Sequence, residues 1–230
     1  MSDNGHGDGW RTQPLYTIIE ASHLAHVSSS TVRRWLFGYK PDRHQPSRPS
    51  VFGAKEVATP YVSFLQLVEI VIAADFRKVG HVKLDVVARA HANARREWRL
   101  EYPFAHLQLE SLGGHIVQWM RSDGEPPAVP ESIDAPGQLA LPGLVTQRIQ
   151  ALDYERDLAA RWYPVGKDIP IVVDPRFSTG RPTLRDRGVT IGAIYRRWKT
   201  DQPISFIADD LKIETGLVEQ ALRYADKVAA

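Results

Sequence analysis

The sequence predicts a mainly α chain with a minor β component, built as two helical modules joined by a proline-rich linker. Three observations carry that expectation. Apolar residues recur at helical spacing in several separate segments. Residues 122–143 hold five prolines (Pro126, Pro127, Pro130, Pro136, Pro142) and three glycines, a composition that blocks helix and favours a semi-extended linker. Strand-like stretches are few and short. The chain of 230 residues, 43% hydrophobic and 24% charged, suits one or two globular domains. The expected division is a disordered tail at 1–14, a first module at 15–121, the linker at 122–145 and a tail module at 146–230.

Residues 1–14 are polar and glycine-rich, with no secretory-signal pattern. Thr17-Ile18-Ile19-Glu20 is a capping box, in which hydroxyl and carboxylate satisfy free backbone N–H groups reciprocally. It opens a helix whose buried face is Ile18, Ala21, Leu24 and Ala25. A turn follows at His26-Val27. Ser28 or Ser29 caps a second helix, with Val32, Trp35 and Leu36 inward and Thr31, Arg33 and Arg34 outward. Residues 38–53 are too rich in Pro, Gly and Arg for helix. Phe64 to Phe76 is a strongly apolar helix ended by Arg77-Lys78-Val79-Gly80, with glycine as C-cap. Leu84 to Arg99 is another, with Val87, Ala90, His91 and Ala94 as the buried stripe and Arg89, Arg95, Arg96 and Arg99 on the wet side. Gly113-Gly114 between alternating segments predicts a small hairpin over 104–120. In the tail, Ala160–Tyr163 and Ile171–Val173 suit a short hairpin, and turns fall at Asp174-Pro175-Arg176 and Gly180-Arg181-Pro182. Three helices follow: Thr190–Lys199, Pro203–Leu211 with Pro203 in the first turn, and Thr215–Lys227 with Thr215 as cap. The last buries Val218, Leu222 and Ala225. The tail therefore reads as a three-helix, helix-turn-helix-like module.

Composition excludes several function classes. With no cysteine there is no disulfide, thiol catalysis, iron–sulfur cluster or cysteine zinc site. The longest apolar run, 64–74, is interrupted by Gln66 and Glu69, so no membrane span is expected. The histidines lack HExxH spacing, and Ser28 to Ser30 lack nucleophile-elbow glycines. His23, His26, His81, His91, His106 and His115 are expected to be partly buried or capping groups. Neither enzyme activity, metal nor cofactor is expected, and a reducing cytoplasm fits the composition.

Charge is informative by segment. The chain carries 29 basic and 27 acidic residues, yet Ser28 to Lys55 holds Arg33, Arg34, Lys40, Arg43, Arg48 and Lys55 against Asp42 alone. Such an excess points to a local anionic partner. A helix, tight turn and outward basic helix is a physical solution to reading double-stranded DNA: the second helix enters the major groove, where arginine can grip guanine bidentately. Ser29, Ser30 and Thr31 at its start, Arg33 and Arg34 along it, and Lys40, Arg43 and Arg48 in the following loop form the candidate DNA-binding set. A homodimer is expected because such modules usually read paired half-sites. In the last two helices Asp209, Asp210, Glu214 and Glu219 would repel phosphate, which favours protein binding or dimerisation there.

Tyr16-Thr17-Ile18-Ile19-Glu20-Ala21, followed by Leu24 to Trp35, resembles the winged helix-turn-helix opening of MerR-like regulators. Phe76 to Gly80 is similar to that family's segment after the wing. Asp174-Pro175-Arg176, Gly180-Arg181-Pro182 and Ala221-Leu222-Arg223-Tyr224-Ala225 resemble a small bacterial domain of unknown function found in VapB-type antitoxins. In this sequence Asp186-Arg187-Gly188 stands where that domain usually has Gly-Thr-Arg. The module order, with Tyr102-Pro103-Phe104-Ala105 between, resembles one VapB-type subfamily. The resemblance implies a type II antitoxin that binds a VapC-type, PIN-domain ribonuclease toxin and its own promoter DNA. Arg161, Trp162, Arg176 and Arg181 are the candidate toxin contacts, since arginine forks suit an acidic active site. Arg176 and Arg181 could equally bond carbonyls within their own turns. The alternative is a stand-alone MerR-like regulator whose tail dimerises or binds a ligand.

Overall fold

The computed structural model describes residues 9–41, 46–52, 60–78, 81–107, 131–132, 135–139 and 146–229. In order, the elements are α1 (Gly9–Thr12), β1 (Tyr16–Thr17), α2 (Ile18–Leu24), α3 (Ser29–Phe37), β2 (Tyr61–Val62), α4 (Phe64–Lys78) and α5 (Leu84–Trp98). A 3-10 turn at Pro103–Ala105 follows. Then come β3 (Glu131–Ser132), β4 (Ala135–Leu139), β5 (Leu152–Glu155), β6 (Leu158–Trp162), β7 (Ile171–Val172) and β8 (Thr183–Leu184). The described chain ends with α6 (Ile191–Lys199), α7 (Ile204–Leu211) and α8 (Thr215–Ala229). The strands pair as four antiparallel two-stranded units, β1 with β2, β3 with β4, β5 with β6 and β7 with β8. The architecture is helix-rich with minor β structure, as the sequence predicts.

Two cores organise these elements. The first is built on α4, whose Phe64, Leu65, Leu67, Ile70, Ile72 and Phe76 are all buried. Around it pack the inner faces of α2, α3 and α5. The stripes predicted from periodicity lie inward: Ile18, Ala21, Leu24 and Ala25; Val32, Trp35 and Leu36; Val87, Ala90, His91 and Ala94. Each large apolar side chain so buried contributes about 1.5–3 kcal/mol. The second core gathers Ile171, Leu184, Ile191, Ile194, Ile207, Val218 and Leu222 from β7, β8 and the last three helices.

Several expectations need correction. The tail does not separate from the first module at residue 146. Leu152, Ala159, Trp162 and Val173 belong to the first core, because the β5–β6 hairpin lies on α4. Residues 9–14 are not disordered: α1 forms one helical turn and buries Arg11 at 1% exposure. Within the expected linker, 131–132 and 135–139 pair as strands. The hairpin expected around Gly113-Gly114 and the Gly80 cap lie outside the described residues. The expected pairing of 160–163 with 171–173 gives way to other partners: β6 pairs with β5, which the sequence does not announce, and β7 pairs with β8, leaving the single Trp162–Val173 bridge between them. Pro203 precedes α7 at the N-cap, and Thr215 is the first residue of α8 instead of its cap. Of the histidines, His91 is buried and His106 half-buried, while His23, His26 and His81 are exposed.

Candidate nucleic-acid interface

The helix pair α2–α3 is set by local hydrogen bonding. Thr17 and Glu20 form the full capping box, with the Thr17 amide donating to Glu20 Oε2 at 2.8 Å and the Glu20 amide to Thr17 Oγ1 at 3.1 Å. His26 takes the left-handed conformation (φ 52°) that turns the chain between the helices. The Lys78 ammonium at the end of α4 donates to the His26 carbonyl, tying that turn to the core helix. Ser28 caps α3 by accepting from the Thr31 amide at 3.2 Å. Its hydroxyl also lies 2.9 Å from that of Ser30 and 2.8 Å from that of Thr31. Ser29 and Ser30 are exposed and Thr31 half-buried at this N-terminus, where free N–H groups and hydroxyls suit a phosphate oxygen.

With Val32, Trp35 and Leu36 in the core, Arg33 and Arg34 are left on the exposed face of α3. The loop after α3 then returns beside it. Gly38 adopts φ 71°, and Tyr39 and Arg48 pair antiparallel through N–H···O bonds of 2.9 and 2.7 Å. A side chain at Gly38 would collide with the Arg48 carbonyl, so glycine is required for this close return. The Arg34 and Arg48 guanidiniums lie 5.0 and 5.9 Å from the centre of the Tyr39 ring, which holds both cations beside one aromatic face or edge. Lys40 is exposed at the edge of this arm, and Arg43 lies outside the described residues.

Between α3, the Tyr39–Arg48 arm and the α4–α5 junction is a groove of about 740 Å³, lined among others by Thr31, Arg34, Tyr39, Arg48, Lys78 and Lys83. Arg77 also lines it, with one N–H committed to the Val82 carbonyl at 3.2 Å. Asp85, a carboxylate on this wall, is within 3.4 Å of Arg89. Of the predicted set, Thr31, Arg34 and Arg48 line this groove beside Arg77, Lys78 and Lys83, while Ser29, Ser30, Arg33 and Lys40 are exposed outside its lining. In the sequence Arg77 and Lys78 read as the end of a helix; their basic run is visible there, but their approach to α3, about forty residues away, comes only with the fold.

The candidate toxin contacts are placed differently. Arg161 donates to Asp174 at 2.8 Å and lies 3.7 Å from Asp153. Arg176 grips both oxygens of Asp174 (3.0 and 2.9 Å) and reaches Glu155 at 3.0 Å. Its guanidinium also stacks on Trp10 at 4.5 Å. Arg176 therefore bonds carboxylates, not the carbonyls of its own turn. Burial alone would raise the Asp174 carboxyl; the bonds from Arg176 and Arg161 outweigh it and hold the group below its usual range. Trp162 is buried, with its amide bonded to the Val173 carbonyl. Arg181 alone of the four is largely open, 67% exposed and 4.0 Å from Glu20.

No protein-family model matches the chain. It is similar to two Mycobacterium tuberculosis proteins. One, named Uncharacterized protein Rv2308, is 25% identical over 93% of this chain and 90% of its own length. The other bears the name Putative antitoxin VapB45 and is 24% identical over 94% of this chain and 95% of its own length. The crystal structure of Rv2018 from the same organism shares the fold, with a TM-score of 0.66 at 20% identity, covering 91% of this chain and 98% of that one. Among the described residues, no group of three or more His, Asp or Glu side chains could hold a metal ion, and no helix is long and apolar enough to cross a membrane.

Proposed function

We propose that this chain is the antitoxin of a type II toxin–antitoxin pair, which neutralises a VapC-type PIN-domain ribonuclease and binds the promoter of its own operon through a MerR-like winged helix-turn-helix. The observation that carries the DNA half is the gathering of Arg34, Arg48, Lys78 and Lys83 on one groove beside α3, with Arg33 exposed on the same helix. In this reading α3 lies in the major groove with Arg33 and Arg34 toward base edges. The serine-rich N-terminus and the Tyr39–Arg48 arm then follow the phosphates. The antitoxin half is supported by the near full-length likeness to the protein named Putative antitoxin VapB45.

The test is titration against the DNA upstream of its own gene at two salt concentrations, beside Arg33→Ala/Arg34→Ala. Tight binding that weakens steeply with salt is expected. The variant should lose discrimination against unrelated DNA by about 1–3 kcal/mol per base contact. Equal affinity of the wild type for unrelated DNA would sink the promoter half. Co-expression with the adjacent reading frame tests the other half, with capture of a ribonuclease in an inactive complex as the expected result. The second reading, a stand-alone regulator, draws on Arg161 and Arg176 being engaged within the chain, which leaves Arg181 as the open arginine of that set.

A further inference from the structure

The arginines of the first module are held in two different ways. Arg77 gives an N–H to the Val82 carbonyl at 3.2 Å, Arg95 gives one to the Phe52 carbonyl at 3.1 Å, and Arg89 lies 3.4 Å from the Asp85 carboxylate. Each is fixed by committing a donor. Arg34 and Arg48 are exposed, and among the described residues neither guanidinium donates a hydrogen bond or enters an ion pair. What they share is the ring of Tyr39, whose centre lies 5.0 Å from the Arg34 guanidinium and 5.9 Å from that of Arg48. Both distances fall within the range of about 6 Å over which a ring attracts a cation. A carboxylate holds an arginine by taking its N–H groups. A ring holds it and leaves those donors for another partner.

The ring is itself fixed from both ends of its arm. At the near end Gly38 leaves α3 at φ 71°, and the Tyr39 and Arg48 backbones bond reciprocally at 2.9 and 2.7 Å. At the far end the Val51 amide donates to the Trp35 carbonyl at 2.8 Å, and Phe52 packs edge-on against Trp35 at 6.3 Å. Arg34, Tyr39 and Arg48 line one groove, where Asp85 is the carboxylate of the wall and already lies beside Arg89. Two cations gathered on one ring repel each other, and an anionic partner that reaches both offsets that cost.

We infer that Tyr39 is the positioning residue of this surface: its ring holds the Arg34 and Arg48 guanidiniums in the arrangement that a duplex meets, so that Arg34 reaches a base edge while Arg48 takes a phosphate. The inference rests on the promoter-binding reading. Tyr39 adds no charge and touches no base. It removes in advance the disorder that two long side chains would otherwise lose on binding, which is worth about two- to ten-fold in affinity for each side chain so held.

The test compares the full chain with Tyr39→Leu and Tyr39→Phe, titrated against the DNA upstream of its own gene and against unrelated DNA at two salt concentrations. Tyr39→Leu should bind the upstream DNA at least about four-fold more weakly and discriminate less, with the salt slope unchanged because every cation remains. Tyr39→Phe keeps the ring and should match the wild type. In an Arg34→Gln/Arg48→Gln background Tyr39→Leu should have no further effect, since the ring has nothing left to hold. Tyr39 is a half-buried residue of a surface arm, so both variants should unfold within a few degrees of the wild type. NMR of the arginine Nε–H groups reads the arrangement in the free wild type, where the Arg34 and Arg48 signals should be displaced by the ring. Equal affinity of the wild type for both DNAs removes the promoter reading, and this inference with it. With that preference intact, the positioning role fails alone if Tyr39→Leu binds both DNAs as the wild type does. It also fails if Tyr39→Phe is as weak as Tyr39→Leu, which would put the hydroxyl on the DNA, or if Tyr39→Leu keeps its full effect in the doubly substituted background. Undisplaced arginine signals overturn it too, and so does a large fall in the melting temperature of Tyr39→Leu, which would assign the ring to the fold of the arm.

Discussion

Glu69 sits at 2% exposure in the middle of the most apolar helix, and its carboxylate is the acceptor that two other elements share. His91 Nε2 lies 2.9 Å from Glu69 Oε1, and the Phe104 amide donates to the same oxygen at 3.3 Å. Phe52 and Phe104 close on the His91 ring edge-on at 5.3 and 5.1 Å. Glu69→Ala leaves two buried donors without an acceptor and should cost about 3–5 kcal/mol in urea unfolding. Glu69→Gln keeps an acceptor and should cost clearly less; equal losses would show that packing, not the shared oxygen, matters. Asp75 works in the opposite sense. Burial pushes its carboxyl up from 3.8 to about 6, against the pull of Arg148 2.6 Å away. A carboxyl whose folded value is raised favours folding below its unfolded value and loses that contribution as pH rises through the folded one. The stability of the wild type relative to Asp75→Asn should therefore fall between about pH 4 and pH 6, by roughly 2–3 kcal/mol at 1.36 kcal/mol per pH unit. Paired unfolding curves across that range measure it, and a flat difference would mean that Arg148 holds the carboxylate ionised throughout. On the proposed DNA-binding reading, Lys83→Gln should reduce the salt slope of binding by about one while leaving sequence preference intact.

At the scale of elements, what could be read from the sequence was what depends on local spacing. The capping box, the serine cap, the inward faces of α2, α3 and α5 and the three C-terminal helices follow from period and cap chemistry, and they place Arg33 and Arg34 on the open face. What could not be read depends on non-local pairing or on unusual turn residues. The β5–β6 hairpin turns at Arg156-Asp157, both with positive φ (51° and 64°), where asparagine and glycine are the usual signal. Without that signal β5 was invisible, and so was the seat of the hairpin on α4. The same turn makes a prediction. Left-handed backbone costs a non-glycine residue about 1–2 kcal/mol. Asp157 uses its carbonyl, not its side chain, to accept the Leu107 amide at 2.8 Å, so glycine can keep that bond. Asp157→Gly should stabilise by about 1 kcal/mol, a rise of roughly 2–4 °C in Tm for a chain of this size. A fall in Tm would show that the Asp157 carboxylate contributes more than its backbone costs. The basic groove was half legible for the same reason: α3 announced itself, whereas Lys78 and Lys83 join it only through the fold.

For the whole molecule, the seam between the two cores decides whether the α2–α3 pair and the C-terminal helices behave as one body. Part of that seam is the packing of α2 on α8, and part is a polar contact at Gly180. Tyr16, the first residue of β1, donates its hydroxyl to the Gly180 carbonyl from 164 positions away in sequence. Nearby, Arg11 reaches Glu155 at 3.4 Å and Arg176 reaches the same carboxylate at 3.0 Å, while Trp10 lies against both guanidiniums at 4.6 and 4.5 Å. Gly180 has φ 69°, and a methyl placed there would overlap the Tyr16 hydroxyl and Leu15. Glycine is thus required twice, for the backbone conformation and for the close approach of β1. Gly180→Ala must either twist the 3-10 turn at Ser178–Gly180 or push Tyr16 away, at a cost of about 1–3 kcal/mol. The loss falls on the seam and not on either core, so its signature is in the shape of unfolding as well as its midpoint. Scanning calorimetry of the wild type should give one cooperative transition. In the variant the transition should broaden or split, with the C-terminal helices retaining the higher-melting component if their own core suffices. A simple downward shift of a single sharp transition would mean instead that the first core, which already includes Trp162 and Val173, couples the two parts without help from the Tyr16–Gly180 contact.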